Sequence, residues 1–92
     1  MNYYSIRFTP KALDDVAYLK KSDKSAYSKL FKLLTEMQLN PVEGTGKPKI
    51  LSGNKAGFFS RRITRKHRLV YSVNHKEITI LVVSAANHYD DK

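Results

Sequence analysis

The fold is decided by residues 58–83, FFSRRITRKHRLVYSVNHKEITILVV. This stretch holds three runs rich in β-branched and aromatic residues, which we predict as strands over residues 58–64, 68–73 and 77–83. Short polar segments separate the runs, and such segments are typical of tight connections between antiparallel neighbours. Two hairpins in series therefore predict an antiparallel meander.

The residues before the meander predict a strand and two helices. Residues 3–9 alternate as a first strand, and Thr9-Pro10 then has the residues preferred at a helix cap and first helical position. This first helix is predicted from Pro10 to about Lys21. We expect its buried face to hold Leu13, Val16, Ala17 and Lys20, and expect early-turn acids, Asp14 and Asp15, to favour the helix dipole.

Ser22-Asp23 offers a cap for a second helix that runs to about Leu39 and stops at Asn40-Pro41. Its apolar residues recur at three- and four-residue spacing: Tyr27, Leu30, Phe31, Leu34 and Met37. Residues 40–46 are predicted as a loop, residues 47–51 as a short edge strand and residues 52–57 as a turn.

These elements predict one α+β domain over residues 1–92. An N-terminal strand and two helices should pack on one face of an antiparallel β-sheet and leave the other face open. No segment is long and apolar enough to span a membrane, and no apolar start resembles a secretion signal, so we predict a cytoplasmic protein.

The charge of the chain indicates a polyanionic partner. Lys and Arg number 17 against 8 Asp and Glu, which gives a net charge of +9. The window from Lys47 to Arg68 holds eight basic residues and no acidic one, and such a field attracts polyanions, whether RNA, DNA or an acidic protein. Without cysteine, disulfides and thiolate nucleophiles are excluded, and three scattered histidines predict no metal cofactor.

Strand alternation separates the arginines of the meander. Arg61 should share one face with Phe59 and Ile63, whereas Arg62 points to the opposite face. On the next strand Arg68 also lies opposite the apolar face. If both side chains reach the open face, their two guanidinium groups suit a phosphodiester, because each can grip phosphate oxygens.

The C-terminal tail adds two polar side chains. His88 can exchange a proton near neutral pH, and Tyr89 can stack on a base. From the residues alone, an incidental pair in a loose terminus is the favoured interpretation.

Four segments together resemble the Txe/YoeB toxins, which belong to the wider RelE-like group. They are residues 44–48 (GTGKP), 57–64 (GFFSRRIT), 67–71 (HRLVY) and 88–89 (HY), and the match follows the whole domain in order. The resemblance implies a microbial RNase-like fold and a ribosome-dependent messenger-RNA interferase. It also implies a cognate antitoxin that folds over the active face, with messenger RNA and the ribosome as further partners.

The resemblance also implies roles for individual residues. His88 matches the general acid and Arg68 the phosphate-stabilising arginine, whereas Arg62 matches a substrate-contacting arginine and Tyr89 the terminal tyrosine. Arg61 and Lys47 complete the predicted substrate-binding set. The implied reaction needs no metal: the ribose 2′-hydroxyl attacks the adjacent phosphorus, and an acid protonates the departing 5′ oxygen.

One position departs from the family pattern. The family usually has a general-base glutamate directly after Gly-Lys-Pro, and this chain has Lys49 at that position. Three residues further on, where the family usually has a lysine, this chain has Ser52. Three explanations stay open. Lys49 acts as base because nearby arginines disfavour its charged form, Glu43 reaches the site from the preceding loop, or the chain is a weakened nuclease.

The last explanation leads to an alternative function. The chain would then be a binding module that holds RNA, or joins an antitoxin to repress an operon. A direct DNA-binding regulator has less support, because the basic window falls on strands and turns rather than on a recognition helix. Two copies of the chain could also associate through the exposed parts of the helices, although no residue pattern proves it.

Overall fold

The strands and helices predicted from the sequence are all present, with ends shifted by a few residues. A computed structural model describes residues 3–46, 48–51 and 57–86. Its elements in chain order are β1 Ser5–Phe8, α1 Pro10–Ser22, α2 Lys24–Leu39, β2 Lys49–Ile50, β3 Phe58–Arg62, β4 Arg68–Asn74 and β5 Thr79–Ser84. No shift exceeds two residues; β5, for example, starts two residues late, after Ile78 adopts a positive φ of 53° in the preceding turn.

The five strands form one mixed sheet in the order β1-β5-β4-β3-β2. Strands β2 to β5 pair antiparallel, as the meander predicts. Strand β1 joins the far edge in parallel with β5, with Ser5 opposite Thr79. The α+β class is therefore confirmed, and the antiparallel sheet is extended by one parallel strand because the helices return the chain across one face.

Both predicted helix caps are present. The Thr9 hydroxyl accepts a hydrogen bond from the N–H of Ala12 at 3.1 Å. The Asp23 carboxylate accepts one from the N–H of Ala26 at the same distance. Each cap satisfies an N–H group that the first helical turn leaves without a partner, which explains why the helices begin where they do.

The buried faces of the helices differ from the prediction. In α1 the buried residues are Ala12, Asp15 and Leu19, whereas Leu13 is 56% exposed. The early-turn role expected for Asp15 is also wrong, because its carboxylate lies in the core. A hydrophobic pattern could not identify this face, since the central member of the buried stripe is charged.

In α2 the buried face is rotated slightly from the predicted stripe. Ala26 and Leu33 are fully buried and Phe31 is 44% exposed. The sheet contributes the other half of the core through the side chains that face the helices: Leu69, Tyr71, Ile80 and Val82. None of the helices in the described part of the chain is long and apolar enough to cross a membrane.

Candidate active site

Arg62 and Arg68 are direct cross-strand partners on the open face of the sheet. They stand opposite each other at the end of the β3–β4 pair. Lys49 pairs with Ser60, two residues before Arg62, and therefore points to the same face. The predicted arginine pair on the open face is thus present in the strand register, and an adjacent edge strand adds a lysine to it.

These side chains line a cleft of about 300 Å³. Its lining residues are Lys29, Gly46, Lys49, Arg62 and Arg68. Apart from the glycine, these residues all have cationic side chains, and no acidic residue of the described segments belongs to the lining. Clustered cations in a concave site concentrate field on a bound anion, so the cleft is suited to phosphate groups.

Lys29 is the member of this cleft that sequence reasoning missed. It lies on α2, where spacing alone indicates a solvated position beside the apolar stripe. Its ammonium group donates a hydrogen bond to the Ile63 carbonyl at 3.3 Å, just past the end of β3. The packing of α2 on the sheet therefore brings it to the cleft, and no local signal in the sequence predicts that contact.

Arg61 does not contact substrate in the way that we predicted. Its side chain is 0% exposed, because alternation along β3 points it to the same face of the sheet as the core residue Leu69. The guanidinium donates hydrogen bonds to the carbonyls of Asn40 at 2.6 Å, Glu43 at 2.7 Å and Thr45 at 3.1 Å. A fourth bond reaches the Tyr71 hydroxyl at 3.0 Å. The prediction is corrected: Arg61 organises the loop over residues 40–46.

Glu36 and Tyr71 complete the support of this loop. Glu36 accepts a hydrogen bond from the N–H of Thr45 at 2.7 Å and lies 3.7 Å from Arg61. The Thr45 N–H lowers the pKa of Glu36 below its ordinary value of 4.5, partial burial opposes that change, and Arg61 lowers the pKa further.

The Tyr71 hydroxyl supports the same loop, because it donates a hydrogen bond to the Pro41 carbonyl at 2.8 Å. Burial raises the pKa of Tyr71, and Arg61 offsets part of that rise.

Gly46 is where the supported loop meets the cleft. Its φ is +86°, and its carbonyl accepts a hydrogen bond from the N–H of Arg62 at 2.9 Å. A Cβ at this position would lie 2.9 Å from the Arg62 carbonyl oxygen. Only glycine combines this backbone angle with so close an approach, and the wall of the cleft depends on both.

Of the remaining predicted site residues, only Glu43 lies in the described part of the chain. It is exposed in its loop and does not belong to the cleft lining. Lys47, His88 and Tyr89 lie outside the described residues, as does Ser52. The C-terminal end of β5 lies beside the end of β4 that carries Arg68, because these two strands are antiparallel.

The other two histidines have partners away from the cleft. His67 is buried, packs edge-on against Tyr18, and has Nε2 3.9 Å from Asp23. The His75 Nδ1 is 2.8 Å from the Tyr4 hydroxyl. Among residues 3–46, 48–51 and 57–86, no three side chains of the metal-binding types lie close enough together to hold an ion.

Comparisons with known proteins identify the family. A family model for the YoeB-like toxin of bacterial type II toxin–antitoxin systems matches residues 8–89. Toxin YoeB of Escherichia coli (strain K12) is 38% identical over 82 residues, which cover 89% of this chain and 95% of that toxin.

Two solved structures extend the similarity to the fold. A chain of the heterotetrameric YoeB–YefM toxin–antitoxin complex from Staphylococcus aureus is 39% identical, with a TM-score of 0.82, and the match covers 94% of this chain and 98% of that one. The YoeB dimer from Staphylococcus aureus is also 39% identical with a TM-score of 0.82, and the match covers 95% and 99% of the two chains. The similarity predicted from the four sequence segments is thus confirmed, and the chain belongs to the YoeB-like toxins of bacterial type II toxin–antitoxin systems.

Proposed function

We propose that this toxin is a metal-independent endoribonuclease that cleaves messenger RNA on the ribosome and so inhibits translation in the cytoplasm. The observation that carries the proposal is the cleft on the open sheet face, in which Arg62, Arg68 and Lys49 share one side and Lys29 adds a fourth cation. A backbone phosphate is the anion that such a site fits, because guanidinium groups can hold two of its oxygens at once.

In the proposed reaction the ribose 2′ oxygen attacks the neighbouring phosphorus, and the bond from phosphorus to the 5′ oxygen breaks. The products are a 2′,3′-cyclic phosphate and a free 5′-hydroxyl. Arg68 and Arg62 stabilise the negative charge that builds on the phosphoryl oxygens. His88 protonates the departing 5′ oxygen, and Tyr89 with Lys47 helps to hold the flanking nucleotides.

We propose Lys49 rather than Glu43 as the group that takes the 2′ proton. Lys49 lines the cleft beside the two arginines, whereas Glu43 is exposed in a loop whose backbone is turned toward Arg61. A lysine accepts a proton only as the free amine, so Lys49 would act in that form.

The proposed partners follow from the same surface. The Staphylococcus aureus relative is solved with YefM and also as a dimer. We propose that a cognate antitoxin covers the cleft of this toxin with an acidic segment, since four cations there need a complementary partner, and that two copies of the toxin associate.

A second function is favoured by one specific observation, the lack of a carboxylate among the described residues that line the cleft. A site of cations alone binds RNA or an acidic antitoxin without any need for a base. In that case the chain acts as a binding module in operon repression, and RNA remains intact when it is bound.

Mapping of RNA ends on programmed ribosomes distinguishes the two functions. Wild type is expected to create new ends that carry a cyclic phosphate, whereas Arg68→Ala and His88→Ala do so at least about 10²-fold more slowly. Lys49→Ala run in parallel tests the base, and Arg65→Ala, an exposed arginine outside the cleft lining, is the matched control. No new ends at any concentration of wild type would favour the binding module.

A further inference from the structure

A buried carboxylate joins α1 to the start of the C-terminal tail. Asp15 is 1% exposed, and a single oxygen, Oδ2, accepts three hydrogen bonds. Its donors are the Lys11 ammonium at 2.7 Å and the backbone N–H groups of Ala85 at 2.9 Å and Ala86 at 3.3 Å. Lys11 also lies 3.5 Å from the Ala86 carbonyl, so one ion pair contacts both polar groups of that residue.

The burial of this carboxylate is compensated by its hydrogen bonds. A carboxylate withdrawn from water destabilises the fold unless charge-assisted hydrogen bonds offset the loss of hydration, as they do here. Residues 85 and 86 follow the last residue of β5, and their N–H groups are bound by Asp15. Both alanines are at most 1% exposed. Asp15 therefore holds the backbone just where sheet pairing stops.

The held segment determines where the tail begins. Because β5 is antiparallel to β4, the chain passes Ala86 at the end of the sheet that carries Arg68. His88 follows two positions later in the sequence. The backbone direction at Ala85 and Ala86 sets where the segment that carries the proposed general acid starts, and proton transfer by that acid requires hydrogen-bond distance.

We infer that Asp15 is a positioning residue for the proposed general acid: it acts through the backbone of Ala85 and Ala86 on His88. The inference rests on the proposed nuclease function. Lys11 supports the carboxylate from the surface, where its side chain is 54% exposed. Asp14, the preceding carboxylate on α1, is exposed and provides a matched control.

Amide hydrogen exchange tests the clamp without any reference to cleavage. In Asp15→Ala, exchange at Ala85 and Ala86 is expected to accelerate at least about tenfold, since both N–H groups lose their acceptor, while exchange at Val82 within β5 stays as in wild type. Asp15→Asn keeps one neutral acceptor oxygen and should fall between the two. Unchanged exchange at both alanines in Asp15→Ala would overturn the inference.

A substrate with a modified leaving group tests whether Asp15 acts through the acid. When sulfur replaces the bridging 5′ oxygen, the phosphorus–sulfur bond breaks with its electron pair on sulfur, and the thiolate departs without a proton. Asp15→Asn is expected to slow cleavage of ordinary messenger RNA on the ribosome about 10- to 100-fold in single turnover, and to cut the sulfur substrate at nearly the wild-type rate. His88→Ala should show the same rescue, and Asp14→Asn should match wild type on both substrates.

The remaining outcomes separate this inference from the proposed function. Equal losses on both substrates, or full activity of Asp15→Asn and Asp15→Ala on ordinary RNA, would overturn the positioning role. If wild type makes no ends, or His88→Ala cuts like wild type, the proposed function fails first and the inference fails with it. Should Asp15→Ala not fold, Lys11→Ala, which removes only the exposed partner, must show the same rescue on a smaller scale.

Discussion

Arg61 and Arg62 are neighbours in β3, yet one is completely buried and the other is exposed in the basic cleft. Strand alternation sends them to opposite faces of the sheet. Arg61 binds three loop carbonyls and a buried hydroxyl, whereas Arg62 faces Arg68 across the strand pair. Identical side chains thus hold a loop from one face of the sheet and line the proposed anion-binding cleft on the other.

Alanine substitutions should separate these two roles. Arg61→Ala is expected to lower the free energy of unfolding by about 2–4 kcal/mol, because it leaves one buried and three part-buried hydrogen-bond acceptors without a donor. Arg62→Ala should change it by less than about 0.5 kcal/mol, as is usual for exposed side chains, while cleavage falls sharply. Urea denaturation measures both. The reverse order of stability effects would contradict the assigned burial.

The rate of RNA cleavage should depend on the shape of the Arg68 side chain as well as on its charge. Arg68→Ala is expected to slow cleavage by about 10²- to 10³-fold, and Arg68→Lys should recover only part of that loss because an ammonium cannot hold two phosphate oxygens at once. Single-turnover cleavage on programmed ribosomes is the measurement, and relief of growth arrest is the cellular readout. Full activity in Arg68→Lys would show that charge alone suffices.

Glu36 should make stability sensitive to acid. Its pKa is lower in the folded chain than the ordinary value of 4.5, so its contribution to stability is complete above that pH and is lost as the pH falls through the lowered native pKa. Glu36→Gln should therefore reduce the melting temperature at pH 7 and have a smaller effect near pH 3. The test is thermal unfolding of both proteins across that range. An effect that grows toward acid pH would have the wrong sign.

Tyr71→Phe tests the buried hydroxyl beneath the loop. The substitution leaves the Pro41 carbonyl and the Arg61 Nε without their partner, and we expect it to cost about 1–3 kcal/mol of unfolding free energy. Tyr3→Phe, at a side chain that is 64% exposed, is the control and should be neutral. Equal denaturation midpoints for the two variants would refute a structural role for the Tyr71 hydroxyl.

Gly46→Ala should damage the cleft more than the fold. The added methyl group would collide with the Arg62 carbonyl at a backbone angle that alanine rarely adopts, so the loop must move away from β3. We expect a stability loss of about 1–3 kcal/mol, typical of backbone strain, together with weaker binding of RNA. Binding is measured at low salt by fluorescence anisotropy. Gly57→Ala is the control for backbone strain without a collision, since Gly57 also has a positive φ, +93°, but nothing lies within 4 Å of its Cβ position.

Local patterns predicted much of this molecule correctly. Thr9 and Asp23 cap the helices because their side chains bind N–H groups only three residues away. Alternation along β3 and β4 placed Arg62 and Arg68 on one face, since strand geometry repeats every two residues. The same rule put Arg61 on the other face, and its inclusion among the substrate-binding residues was wrong.

The sequence by itself determined the order of the elements, their caps and the open face with its arginine pair, because each of these depends on residues close together in the chain. It also determined the family, through four short segments that resemble it. Tertiary structure alone decided that Lys29 enters the cleft, that Asp15 is buried against Ala85 and Ala86, and that β1 pairs in parallel with β5. Asp15 and Ala85 are 70 positions apart. Contacts of that kind depend on how helices and sheet pack together, and no periodicity along the chain encodes them.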